Sequence, residues 1–128
     1  MPEPTTGPSV LVVEDEALLL FTIADDLRDA GFRVFEATNA AAALTLLGNL
    51  GGVSVLFTDV AMPGQIDGLR LAHLVEERWP GTKIIVTSGH VNLTDADMPE
   101  GARFIAKPYT PAAIVAAIRR ETGQEPSR

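Results

Sequence analysis

The stretch Val53-Ser54-Val55-Leu56-Phe57-Thr58-Asp59 sets a short, nearly all-apolar run against a carboxylate. Val53–Phe57 is too short for a stable helix and is rich in β-branched residues, so it reads as a strand. Because both of its alternating faces are apolar, it must be covered on both sides, as a central strand of a parallel sheet is. That strand runs into Thr58-Asp59.

Working outward, apolar runs alternate with segments of helical period, the pattern of an α/β fold. Val10–Val13 is the first strand. A helix follows from about Glu16, with Leu20, Ile23, Ala24, Leu27 and Ala30 on one face and Gly31 as its stop. Arg33–Ala37 alternates polar with apolar, as an edge strand would. Asn39 caps a second helix whose inner face is Ala43, Leu46, Leu47 and Leu50. Asp67 caps a third, carrying Leu71, Leu74 and Val75 and ending before Trp79-Pro80-Gly81. Lys83–Val86 and Ala102–Ala106 are the fourth and fifth strands. Thr110-Pro111 opens a last helix with Ile114, Val115 and Ile118 inside. Val91–Gly101 has little apolar periodicity, so a helix there is expected to be short or irregular. Residues 1–8 and 123–128 are expected to be flexible ends around one folded domain, 9–122.

Composition narrows the function. The 128 residues suffice for one domain with a proper core. The absence of cysteine excludes disulfides, thiolate chemistry and cysteine-based zinc sites. With only His73 and His90, a multi-histidine metal site is disfavoured. The net charge of −7 argues against binding a nucleic-acid backbone, which needs a basic patch. Ala37–Thr58 carries no charge and is long enough to span a bilayer, but Gly48-Asn49-Leu50-Gly51-Gly52 interrupts it with turn chemistry. No membrane insertion and a cytoplasmic location are therefore expected. His73, on a helix, and His90, in a loop, are assigned no chemistry.

Four of the five strands deliver polar groups to one rim: Glu14-Asp15-Glu16, Thr58-Asp59, Thr87-Ser88 and Lys107-Pro108. In open α/β sheets that rim is where ligands bind. Two carboxylates about 4 Å apart repel by roughly 4 kcal/mol at an effective dielectric of about 20, so a cation or a proton must join them. An all-oxygen shell suits Mg²⁺ rather than zinc. Lys107 adds a fixed positive charge, and Thr87 a hydroxyl donor. Together they fit phosphoryl transfer to a carboxylate nucleophile, with Asp59 favoured by its place after the most buried strand.

The chain resembles the receiver domain of bacterial two-component response regulators. The resemblance rests on Val12-Val13-Glu14-Asp15-Glu16, Asp59-Val60-Ala61-Met62-Pro63 with Asp67-Gly68, Val86-Thr87-Ser88-Gly89 and Lys107-Pro108, and covers about Ser9 to Glu121. It implies a flavodoxin-like, doubly wound, five-stranded parallel sheet in order 2-1-3-4-5. It implies Asp59 as phosphoacceptor, a Mg²⁺ site from Glu14, Asp15, Asp59 and the Ala61 carbonyl, and Lys107 and Thr87 as phosphoryl-binding groups. Thr87 and Phe104 are similar to the family's switch pair, Met62 and Pro63 to its loop, and Lys107–Pro108 to its cis peptide. Partners would be a histidine kinase or histidine phosphotransfer protein and an output protein, and the domain would not be a conventional turnover enzyme. Phe104 lacks the hydroxyl of a tyrosine, so any switch through it is steric. The loop through Gly64-Gln65-Ile66 is one residue longer than is common, and Thr87 to Lys107 is shorter. A stand-alone, chemotaxis-type receiver is the leading expectation, against a receiver cut from a hybrid kinase or multidomain regulator, a pseudo-receiver that only binds, and a Mg²⁺-dependent phosphatase.

Overall fold

The computed structural model describes residues 7–61, 67–89 and 98–123. Within them the chain runs β1 (Ser9–Val13), α1 (Ala17–Asp29), β2 (Arg33–Ala37), α2 (Ala40–Leu50), β3 (Val55–Asp59), α3 (Gly68–Arg78), β4 (Lys83–Ser88), β5 (Arg103–Ala106) and α4 (Pro111–Thr122). The five strands form one parallel sheet in the order β2-β1-β3-β4-β5, as the resemblance implied.

The two-residue period of the strands sorts the core into two layers. Leu11, Val13, Leu56, Ile84 and Val86 face one side, where Ala43 and Leu47 of α2 and Leu71, Ala72 and Val75 of α3 cover them. Val10, Val12, Val55, Phe57 and Ile85 face the other, under Leu20, Ile23 and Leu27 of α1 and Ile114, Ala117 and Ile118 of α4. β3 is therefore buried along its whole length.

Local chemistry sets the helix ends. Asn39, Asp67 and Thr110 each accept a hydrogen bond from the backbone N–H three residues on, and Pro111 occupies the first turn of α4. Gly51, at φ 74°, ends α2 in the left-handed conformation that a side chain disfavours. The uncharged stretch from Ala37 to Thr58 is thus a helix, a glycine turn and a strand, and among the described residues no helix is long and apolar enough to cross a membrane. Trp79 closes α3 at the amino-terminal end of the sheet, its ring packed on Gly52 and its carbonyl accepting from Thr82 N–H.

Two strands extend further than their apolar runs suggest. β3 includes Thr58 and Asp59, and β4 includes Thr87 and Ser88, so Thr87-Ser88 are buried strand residues and not a turn. Leu50, expected inside, is 39% exposed. It is the last residue of α2, where the chain turns away from the sheet. Residues 90–97, and with them most of the segment where a short or irregular helix was expected, lie outside the described residues, as do Met62 and Pro63.

Leu56, fully buried at the centre of the sheet, provides a test of this packing. Leu56→Ala should lower unfolding stability by about 2–5 kcal/mol. Equilibrium urea denaturation measures this, and a loss below about 1 kcal/mol would place Leu56 outside the core.

Candidate phosphoacceptor site

The carboxyl ends of β1, β3, β4 and β5 converge on Asp59. Because β1 and β3 pair Val13 with Thr58, the residues after Val13 emerge beside the end of β3. Glu14, Asp15 and Asp59 offer carboxylate oxygens that all lie within 4.8 Å of one another. Glu14 and Asp59 are buried, and Asp15 is exposed. An oxygen-only cluster of this size is the donor set of a hard divalent cation and fits Mg²⁺ rather than a softer metal. Ala61 follows two residues after Asp59 and donates its N–H to Asp59 Oδ1 at 3.2 Å.

Lys107 supplies the positive charge from the end of β5. Its Nζ donates to Asp59 Oδ2 at 2.8 Å and lies 3.7 Å from Glu14 Oε1. The Lys107–Pro108 peptide that follows is cis. Lys107 N–H donates to Ser88 O, fixing the end of β5 against β4.

Thr87 lies across from Asp59 in the β3–β4 register. Its hydroxyl is fully buried and has no hydrogen-bond partner among the described residues. Burying an unpaired hydroxyl is unfavourable, so an acceptor brought within reach of Thr87 Oγ1 would relieve that cost. Phe104 pairs with Val86 rather than with Thr87, placing it diagonally across the strand pair, where it is half-buried.

Burial is the largest influence on Glu14 and raises its carboxyl above the usual 4.5, with the Asp59 charge adding to it. The Glu16 N–H, at 3.1 Å from Glu14 Oε2, and Lys107 oppose this without cancelling it. For Lys107, burial alone would lower the ammonium, but the hydrogen bond to Asp59 and the charges of Asp59 and Glu14 outweigh it and raise it above 10.5.

Three contacts were not foreseen from sequence. Thr58 donates its hydroxyl to the Asp59 carbonyl at 3.0 Å. Gly68 donates its N–H to Val60 O at 2.9 Å. Tyr109 sets its ring edge-on to Phe57, 5.9 Å between centroids, and buries a hydroxyl that has no hydrogen-bond partner among the described residues. Burial, followed by the charges of Glu14, Asp59 and Glu16, pushes that phenol well above its usual range. An aromatic residue directly after Lys107-Pro108 was the available signal.

The family model described as "Response regulator receiver domain" matches residues 10–119. The chain belongs to that family. Among proteins similar to this receiver domain is a "Putative response regulator NtrX-like" of Rickettsia felis, 33% identical over 115 residues, which are 87% of this chain and 24% of the relative. "Transcriptional regulatory protein FixJ" of Azorhizobium caulinodans is 36% identical over 90% of the chain and 55% of its own length. "Sensor kinase CckA" of Brucella abortus is 30% identical over 87% of the chain and 12% of its own length. The chain thus spans about a quarter of the NtrX-like relatives. Among solved structures, a response regulator receiver protein from Sinorhizobium medicae superposes with a TM-score of 0.85 at 26% identity, covering 94% of this chain and 98% of that one. The receiver domain of NtrX from Brucella abortus gives 0.80 at 27% identity, covering 91% and 99%.

The direction of the Glu14 shift makes a pH prediction for the receiver domain. A carboxyl whose folded pKa is raised adds stability below 4.5 and loses it as pH climbs through the higher folded value. In chelator, the melting temperature of wild type relative to Glu14→Gln should therefore fall as pH rises from below 4.5 toward neutrality. Lys107 has the same sign but acts only as pH rises above 10.5. Melting curves across pH for both proteins decide the matter, and a wild-type advantage that grows with pH in that window would refute it.

Proposed function

We propose that this receiver domain accepts a phosphoryl group on Asp59 from a phosphohistidine of a histidine kinase or phosphotransfer protein. The observation that carries this is the pairing of Asp59 with Lys107 Nζ at 2.8 Å inside the cluster with Glu14 and Asp15. It puts a nucleophile and a fixed counter-charge at one strand end.

In the transfer, a carboxylate oxygen of Asp59 attacks phosphorus in line and forms the acyl-phosphate P–O bond. The P–N bond breaks, and the imidazole keeps the bonding pair, leaving neutral when its other nitrogen carries a proton. Lys107 neutralises oxygens of the transferred group. The Mg²⁺ ion that Glu14, Asp15, Asp59 and the Ala61 carbonyl would hold supplies, when bound, the remaining charge neutralisation. Buried strands hold the side chains in place before donor arrives, so little reorganisation accompanies transfer.

Phosphorylation takes Asp59 from one negative charge to about two and adds acceptor oxygens. The Thr87 hydroxyl, unpartnered among the described residues, is the donor suited to one of them. Its movement would free space for Phe104 to rotate, which shifts the population toward a second conformation and alters a protein-binding surface. With phenylalanine at this position the coupling is steric.

Incubation with Mg²⁺ and acetyl phosphate should add one phosphoryl group by intact mass, and Asp59→Asn should abolish the gain. Labelling that persists in the asparagine variant sinks the assignment. With beryllofluoride, methyl and aromatic NMR signals of Thr87 and Phe104 should shift together in wild type. In Thr87→Ala, labelling should persist while the Phe104 signals stay put.

A further inference from the structure

Gly68 stands where α3 returns to the end of β3. A Cβ placed on it would overlap the Asp59 carbonyl oxygen and lie 2.6 Å from that carbonyl carbon and 2.9 Å from Val60 Cα. These are backbone atoms of the central strand, which cannot swing aside as a flexible side chain would. Gly68 is not among the glycines with positive φ, so its backbone conformation is open to any residue. Glycine is required here for space alone.

The segment that Gly68 touches is fixed on every side. Val60 N–H donates to Thr87 O at 2.9 Å, and Gly68 N–H donates to Val60 O at 2.9 Å. Ala61 N–H donates to Asp59 Oδ1 at 3.2 Å, and Thr58 Oγ1 donates to Asp59 O at 3.0 Å. The peptide planes from Asp59 to Ala61 are thus pinned by hydrogen bonds, with the bare Cα of Gly68 as the backstop.

We propose that Gly68 is a positioning residue for the phosphoacceptor site: its close contact with the Asp59 carbonyl sets the backbone that carries the Asp59 carboxylate and the Ala61 carbonyl. This rests on the function proposed above. Any side chain at position 68 displaces the Asp59–Ala61 backbone and so detunes both groups at once. Thr58 holds the same carbonyl through its hydroxyl and supports the same geometry.

Helix propensity and close contact make opposite forecasts for Gly68→Ala. Propensity favours alanine at the start of α3 and leaves the site alone. Close contact forecasts a Mg²⁺ dissociation constant raised on the order of tenfold or more, read by NMR titration of the unphosphorylated protein. It also forecasts acetyl phosphate labelling slowed by about tenfold or more. Ala117→Gly, which thins the distant packing of α4, serves as the control: it should lower the melting temperature and leave Mg²⁺ affinity within about twofold of wild type.

A Gly68→Ala protein with unchanged Mg²⁺ affinity overturns the proposal. If that variant does not fold, Thr58→Val keeps the shape and removes only the hydroxyl bond to the Asp59 carbonyl. An unchanged affinity there overturns the proposal, and a loss of about threefold supports it. Weakened Mg²⁺ binding in Gly68→Ala, together with a wild type that takes no phosphoryl group, would refute the phosphoacceptor assignment and keep the positioning role. A wild type that neither binds Mg²⁺ nor is labelled would overturn both.

Discussion

Three carboxylates brought within 4.8 Å, two of them buried, form an arrangement that folding alone disfavours. Burial is the main cause of the raised Glu14 carboxyl, and the neighbouring Asp59 charge adds to it. Lys107 offsets part of this, reaching both buried carboxylates from the far side of the sheet. The parallel direction of the strands opens their carboxyl ends onto one rim, and the order, with β3 between β1 and β4 and β5 beyond β4, brings these particular ends together. The parallel sheet is therefore what makes the charge cluster possible.

Burial on both faces serves the same end. With α2 and α3 on one side and α1 and α4 on the other, β3 has no exposed residue, and Asp59 is aimed by a strand that has little freedom to move. The hydroxyls of Thr58 and Thr87 sit in this dry environment, where a hydrogen bond made or left unmade carries more weight than in water.

Much of this was legible in the sequence because burial leaves a periodic trace. The β-branched runs located all five strands, and Asn39, Asp67 and Thr110 announced their helices. Boundaries went astray where polarity and burial part company. Thr58, Asp59, Thr87 and Ser88 look like loop residues by composition, yet are strand residues by hydrogen bonding. These are also the positions nearest the site, since function places polar groups in a core that propensity would fill with apolar ones. The meeting of Asp59, Glu14, Asp15 and Lys107 at one rim was foreseeable because motif order survives in one dimension. The Thr58 hydroxyl bond, the buried Tyr109 phenol and the Gly68 contact were not, because each depends on what a neighbouring segment leaves open.

The seat of Trp79 decides what its emission can report. It is the chain's one tryptophan, and it packs on Gly52 at the end of the sheet where β3 and β4 begin. Asp59 is the last residue of the five in β3, so the indole is separated from the carboxylates by roughly 15 Å of buried strand. Its fluorescence will follow the loss of packing between α3 and the sheet during unfolding. It will be nearly blind to events at the opposite rim, which makes it an optical gauge of the scaffold, separate from the chemistry.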